Sequence, residues 1–254
     1  MILDKFRLNG KNALVTGSSR GLGAAIAIAL AEAGANVACH GRSEDGKKTC
    51  ATVRQLGRNT AYVVGDVAKR EVQAELIKKT VEEFGSIDIL VNSAGTIRRA
   101  PAAEFPEEYW NEIIAVNLSS VFKLSQLAAG DMLKRGAKGK IVNIASLLAF
   151  QGGILVPAYA AAKGGVAQLT KALANEWATH GINVNAIAPG YMATDNTTAL
   201  RNDPVRSRQI LERIPAGRWG EAEDVAGAAV FLCSSSSDYV NGHILAVDGG
   251  WLAR

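Results

Sequence analysis

Seven short β-rich runs, residues 13–16, 36–40, 61–64, 87–91, 140–145, 184–187 and 244–247, alternate along this chain with helix-length segments. The helical segments are residues 22–33, 44–56, 69–84, 106–134, 157–179 and 221–233. That alternation constrains the fold more than any other feature, because parallel strands need a long crossover between them, usually a helix. The runs are apolar throughout rather than every second residue, which belongs to strands covered on both faces. The expected architecture is α/β: one doubly wound parallel sheet of about seven strands with helices on both faces. At 254 residues and 48% apolar composition, the chain has room for one large core, so residues 1–254 are expected to form a single domain. Residues 191–220 interrupt the rhythm and are expected to form a lid over a substrate.

Charge and cysteine usage exclude several classes. The net charge of +4 comes from 28 basic and 24 acidic residues spread without a basic stripe, so no nucleic-acid partner is expected. Cys39, Cys50 and Cys233 form no C-x-x-C pair or even-numbered framework, so a reducing cytoplasm fits. His40, His180 and His243 lack ligand spacing, and no metal is expected. The opening residues include Asp4, Lys5 and Arg7 without an apolar signal core, and no 18-residue apolar run is apparent. Neither export nor membrane insertion is expected.

Doubly wound sheets hold ligands at the carboxyl ends of their strands, where this chain concentrates glycine and polar residues. Strand one runs into Thr16-Gly17-Ser18-Ser19-Arg20-Gly21-Leu22-Gly23. Asp66 and Val67 follow strand three, Asn92-Ser93-Ala94-Gly95 strand four, Ser146 strand five, and Pro189-Gly190 strand six. Gly17, Gly21 and Gly23 leave room for a dinucleotide pyrophosphate to reach backbone N–H groups and a helix N-terminus. Their G-x-x-x-G-x-G spacing differs from the commoner G-x-G-x-x-G. Ser19, Arg20 and Leu22 are expected to share the cofactor contacts of this loop, with Asp66, Val67, Asn92, Ala94 and Gly95 beside them.

After strand two the chain reads His40-Gly41-Arg42-Ser43, with no carboxylate for the 2′-hydroxyl of NAD. Arg20 and Arg42 instead suit a 2′-phosphate, which arginine grips in bidentate fashion. NADP(H) is therefore the expected cofactor and NAD(H) the alternative, with Ser43 at the same turn and Glu44 and Asp45 close enough to offset the arginines. The run from Gly41 to Lys47 imitates a P-loop, but Lys48 stands where magnesium needs Ser or Thr. Ser146 lacks the G-x-S-x-G of a hydrolase nucleophile.

Ser146, Tyr159 and Lys163 supply a hydroxyl, a phenol and an ammonium. If Pro157 opens a helix, Tyr159 and Lys163 lie about one turn apart on one face. Tyrosine titrates near pH ~10, and a neighbouring cation favours phenolate, so Lys163 is expected to lower the Tyr159 pKa. A phenol tuned in this way is a proton donor for carbonyl chemistry.

Together, T-G-x-x-x-G-x-G, Asn92-Ser93-Ala94-Gly95, Asn117, Ser146, Tyr159-x-x-x-Lys163 and Pro189-Gly190 resemble the short-chain dehydrogenase/reductase family, whose fold is Rossmann-like. The resemblance covers essentially the whole chain. It implies that Ser146 and Tyr159 engage the substrate oxygen, Lys163 contacts the nicotinamide ribose, and Asn117 supports a water-linked proton relay. Tyr159, Lys163, Pro189, Gly190, Met192 and Thr194 are then expected cofactor contacts, and a homotetramer is implied. A helix over residues 157–179 that is apolar nearly all round fits a subunit interface. The family's usual N-N-A-G has Ser93 at its second position here, a departure expected to cause only modest local change.

Thr96-Ile97-Arg98-Arg99, Phe150-Gln151-Gly152-Gly153 and the segment 213–220 resemble a subgroup that interconverts keto and hydroxy forms of deoxy sugar acids derived from uronates. Reversible hydride transfer between a nicotinamide and such a keto-sugar acid is the expected reaction. Gln151, Arg98 and Arg99 are candidate substrate contacts, and the lid adds Arg201, Arg206, Arg208, Arg213 and Arg218 as possible carboxylate partners. A 3-oxoacyl thioester reductase shares the same motifs. From another class, so does a sensor or scaffold that binds NADP(H) without turnover.

Overall fold

The computed structural model describes residues 1–254. Strands β1 (Asn12–Val15), β2 (Asn36–Gly41), β3 (Thr60–Val64), β4 (Ile89–Asn92), β5 (Gly139–Ile144), β6 (Ile182–Pro189) and β7 (Ile244–Val247) form one sheet. Every pairing is parallel, in the order β3-β2-β1-β4-β5-β6-β7. β1 pairs with β2 on one side and with β4 on the other, Ala13 standing opposite both Val37 and Ile89. Winding therefore reverses between β3 and β4, and the crevice outside β1 and β4 is the switch point where such sheets bind ligands.

The helices are α1 (Gly21–Glu32), α2 (Lys47–Gln55), α3 (Arg70–Phe84), α4 (Glu107–Ile114), α5 (Ser120–Lys134), α6 (Pro157–Trp177), α7 (Thr198–Asn202), α8 (Pro204–Arg213) and α9 (Ala222–Cys233). Successive strand residues point to opposite faces. Ala13, Val15, Ile89 and Val91 join one core with Ile26 and Leu30 of α1 and Val225 and Leu232 of α9. Leu14 and Leu90 join the other with Leu76 of α3, Leu124 of α5 and Leu173 of α6. Because both faces are covered, the strands had to be apolar at every position, and the only sheet surface left for polar chemistry is the strand ends.

Two expectations are corrected. Residues 107–134 form one 28-residue helical run, long and apolar enough in composition to cross a membrane. Leu124, Ala128 and Met132 of that run are instead buried in the core beneath the sheet. Within it a π-helical turn at Ala115–Ser119 joins α4 to α5. The segment 191–220, irregular by sequence, holds α7 and α8. The start of α8 has a local cause: an Asp203 carboxylate oxygen accepts from the N–H groups of Val205 and Arg206 at 3.0 Å each, and Pro204 takes a first-turn position that needs no donor. Ile210 and Ile214 pack with Leu147 and Trp251, which seats the segment on the carboxyl end of the sheet.

The turn after β1 is built by close approach. Gly17 has φ +66°, and a Cβ there would stand 2.7 Å from Ala94 Cα. Gly57 has φ +73° with nothing within 4 Å. Gly57→Ala isolates the backbone cost, about 1–2 kcal/mol, whereas Gly17→Ala adds a clash with rigid backbone. Urea denaturation should show the larger loss for Gly17→Ala, and equal losses would refute the steric account.

Candidate active site

The glycine loop is held from beneath by its neighbours. Thr16 Oγ1 accepts from the N–H groups of Ser93 and Ala94 at 3.1 Å each, tying the ends of β1 and β4. Gly17 N–H donates to His40 Nδ1 at 3.1 Å, and His40 Nε2 lies 3.1 Å from Gly65 O. That pair fixes the tautomer: Nδ1 accepts and Nε2–H donates. His40 is buried, and burial pushes its pKa down, against the pull of Gly65 O and the Asp66 charge. Sequence reasoning saw His40 only as an unlikely metal ligand; a polar residue inside an otherwise apolar strand was the available signal.

Above this loop lies a cavity of about 390 Å³. Gly17, Ser19, Arg20, Gly21, Leu22 and Gly23 line it, as do Arg42, Asp66, Val67, Ala94, Gly95, Tyr159, Lys163 and Thr194. Fourteen expected cofactor contacts thus meet in one place, around a turn where glycine leaves no side chain between a ligand and the backbone. At the β2 end, the acids that threatened to offset the arginines are engaged elsewhere. Glu44 pairs with Lys47 at 2.8 Å and Asp45 accepts from Ser43 Oγ at 2.8 Å. Arg42 makes no ion pair, while Arg20 reaches Asp195 at the start of the lid at 3.2 Å.

Five expected contacts lie outside this cavity. Ser43 is occupied by Asp45, and its carbonyl accepts from Tyr62 Oη at 2.6 Å. The Asn92 side chain turns inward, donating to Ser125 Oγ at 3.1 Å and Asn143 Oδ1 at 2.9 Å. Met192 is packed in the core with Ile187 and Val225. Pro189 and Gly190 line a second cavity instead. Sequence position placed all five at the strand ends but not the direction of their side chains. Asn196, unmarked by any motif, lines both cavities.

The second cavity, of about 400 Å³, contains Ser146, Gln151, Tyr159 and Arg99, with Arg206 and Arg213 of α8 and the buried Trp251 on its walls. Tyr159 lines both cavities and stands where they meet. Pro157 opens α6 as expected, and Tyr159 and Lys163 share its inward face. Ser146 caps the short turn after β5, its Oγ accepting from Leu148 N–H at 3.2 Å. Arg98 is taken out of contention: Glu112 holds its guanidinium at 2.7 and 3.2 Å, and it lines neither cavity.

Burial is the largest influence on both Tyr159 and Lys163. Burial pushes the phenol above its usual value; the Ser146 hydroxyl and the Arg99 guanidinium pull it back. Lys163 is 4% exposed, donates to Ile144 O at 2.6 Å and sits 5.5 Å from the Tyr159 ring centroid. Burial holds its own pKa down to about 8. Two cations thus stand near the phenol: Arg99, whose charge favours phenolate, and Lys163 beside the ring. Asn117, fully buried in the π-helical turn, donates to Thr96 O at 2.8 Å and accepts from Thr96 N–H at 2.9 Å. Its side chain is committed to the β4 turn, which leaves only its main chain for a proton relay. Single-turn π-bulges recur at functional sites.

A family model described as enoyl-(acyl carrier protein) reductase matches residues 17–252. Similarity to 2-dehydro-3-deoxy-D-gluconate 5-dehydrogenases runs the full length. The protein of that name from Dickeya dadantii is 54% identical over 254 residues, 100% of both chains. That from Bacillus subtilis is 56% identical over 251 residues, covering 99% of this chain and 98% of its own. The chain belongs to the short-chain dehydrogenase/reductase family. Among solved members, an Agrobacterium tumefaciens protein with bound NADP is 55% identical, with a TM-score of 0.92 over 98% of this chain and 99% of its own.

In this short-chain dehydrogenase/reductase the buried Lys163 makes a pH prediction. An unfolded chain holds the lysine proton to about pH 10.4, the folded one only to about 8. Below pH 8 the buried charge opposes folding, and stability from this group rises as pH climbs from 8 towards 10.4. Between pH 7 and pH 10 the stability of the wild type relative to Lys163→Met should rise by about 2 kcal/mol. A pH-independent difference in urea denaturation would show that Lys163 is not titrating in this way.

Proposed function

We propose that this protein is an NADP(H)-dependent oxidoreductase that interconverts a ketone and a secondary alcohol of a deoxy keto-sugar acid. The observation that carries the reading is the meeting of two cavities at Tyr159, one against the glycine loop and one walled by arginines. The names of the full-length relatives supply the substrate class. Their NADP-bound counterpart and the unpaired Arg42 support NADP(H) over NAD(H). Those names specify reaction at carbon five of an acid whose carboxylate is carbon one.

The cofactor supplies or accepts the hydride when bound. Tyr159 donates its proton to the carbonyl oxygen as that oxygen gains negative charge, and Ser146 Oγ–H hydrogen-bonds the same atom. Lys163, held by Ile144 O, faces the ribose side of the cleft beside the Tyr159 ring. Proton return to Tyr159 runs through solvent and the main chain at Asn117. Because burial favours the protonated phenol at neutral pH, reduction has its proton in place, while alcohol oxidation needs phenolate and accelerates as pH rises. In the reverse direction Tyr159 takes the hydroxyl proton as hydride leaves the carbon.

We also propose a homotetramer in a reducing cytoplasm. Trp110 of α4 is 43% exposed and Phe122 of α5 44%, beside the small residues Ala161, Gly164, Gly165 and Ala172 of α6. Gln168, Lys171 and Asn175 give the second half of α6 exposed polar side chains beside Ala172. The three cysteines are buried and unpaired.

Spectrophotometric assay with 2-dehydro-3-deoxy-D-gluconate and NADP⁺ tests the function. Turnover should exceed that with NAD⁺, and Tyr159→Phe should lose about 10² to 10⁴-fold while still binding NADPH. Preference for oxoacyl thioesters, or near-normal Tyr159→Phe turnover, overturns the reading. Sedimentation at micromolar concentration should give a tetramer, with Phe122→Glu dissociating it; a wild-type monomer refutes the assembly.

A further inference from the structure

The second cavity has two chemically different ends. At one end stand Ser146, Tyr159 and Arg99, whose charge favours phenolate. At the other stands an arrangement with no part in proton or hydride transfer. The Arg213 guanidinium lies over the Trp251 ring, 4.1 Å from its centroid. Its Nη2 reaches Gln151 Oε1 at 3.4 Å, and Trp251 Nε1 donates to the same oxygen at 3.2 Å. Trp251 is 4% exposed and is fixed in turn by the Tyr191 ring at 4.6 Å. Three separate chain segments thus hold one guanidinium in place.

The other arginines are engaged differently. Glu112 holds Arg98, and Asp224 holds Arg218 at 2.6 and 2.8 Å. Arg206 lines the cavity but is spent on Gln209 Oε1 at 2.9 Å along its own helix. Arg213 has no carboxylate partner. Stacking covers one face of a guanidinium and leaves its edge donors free, and a side chain already oriented loses little freedom when it binds. Gln151 Oε1 is engaged from two sides, which turns its amide NH₂ outward as a further donor.

We propose that Arg213, laid on Trp251 and steadied by Gln151, anchors the substrate carboxylate, and that this anchor selects the carbonyl to be reduced. A substrate spanning both ends presents Tyr159 with a carbon remote from its carboxylate, not the keto group beside it. The inference rests on the keto-sugar-acid reading of this cavity.

Steady-state kinetics with 2-dehydro-3-deoxy-D-gluconate, its carbon-one carboxamide and NADP⁺ test the anchor. Arg213→Met should raise KM for the acid about 10- to 100-fold, the range for a lost charged hydrogen bond. The smaller change should be in kcat, and KM for the carboxamide should stay within about twofold. Gln151→Glu, which sets a carboxylate against Arg213, should raise KM for the acid in the same way. Unchanged NADPH binding by both variants shows that the fold is intact. Turnover of the acid with an unaltered KM in Arg213→Met, or equal losses on acid and carboxamide, overturns the anchor alone. A wild type that does not turn over the acid overturns the functional reading and the anchor built on it.

Discussion

The close approach of two strand-end turns is the constraint on which the rest of the site depends. Thr16 takes the two N–H groups of the β4 turn, and Gly17 lies against Ala94 without room for a side chain. That contact closes the floor of the crevice at the switch point, and His40 then fixes the loop from the β2 side. A buried peptide N–H without an acceptor costs about 1–3 kcal/mol, so the imidazole contributes to loop geometry from the wall of the cleft. The loop's shape is thus set by packing and hydrogen bonds present before any ligand binds.

Above this floor, burial is the largest influence on both the tyrosine and the lysine. A fully buried ammonium has few ways to stay charged, and Lys163 uses a backbone carbonyl, Ile144 O, as its partner. That hydrogen bond holds the ammonium at the end of β5, 5.5 Å from the Tyr159 ring centroid. Arg99, carried on the exposed turn after β4 and donating to Asn196 O at 3.3 Å, is a second cation whose charge favours phenolate. The turn that contacts the glycine loop therefore also carries a charge near the phenol.

Much of this was legible in the sequence, for a physical reason. Strand and helix rhythm follows from burial on both sheet faces, and the site follows from strand ends being the only place left for polar groups. Ser146, Tyr159 and Lys163 could be placed because a strand end and one helical turn fix them without knowledge of distant contacts. Asn92, Met192 and Ser43 do not line the glycine-loop cavity because position along the chain does not determine which way a side chain turns. Arg98 and Arg99 are neighbours in sequence, yet only Arg99 faces the cavity; Glu112, fourteen residues away, decides this by holding Arg98. Trp251 could not be placed at the site from the sequence, since its partners Arg213 and Gln151 lie 38 and 100 residues away.

The two kinds of function are carried by structures of different rigidity. The proton-transfer groups of the proposed reaction are fixed to β5 and the start of α6, whose backbones are embedded between two cores and hold hydroxyl and phenol at one edge. The proposed carboxylate anchor is carried by α8, whose contact with the body runs through Ile210, Ile214, Leu147 and Trp251. Such a helix, attached by one small apolar cluster and capped by its own Asp203, can change its surface residues without disturbing the sheet. Within segment 191–220, Asn196 lines both cavities, as Tyr159 of α6 does. A family that keeps its strand-end chemistry can therefore vary its substrates through the segment that the sequence pattern describes least well.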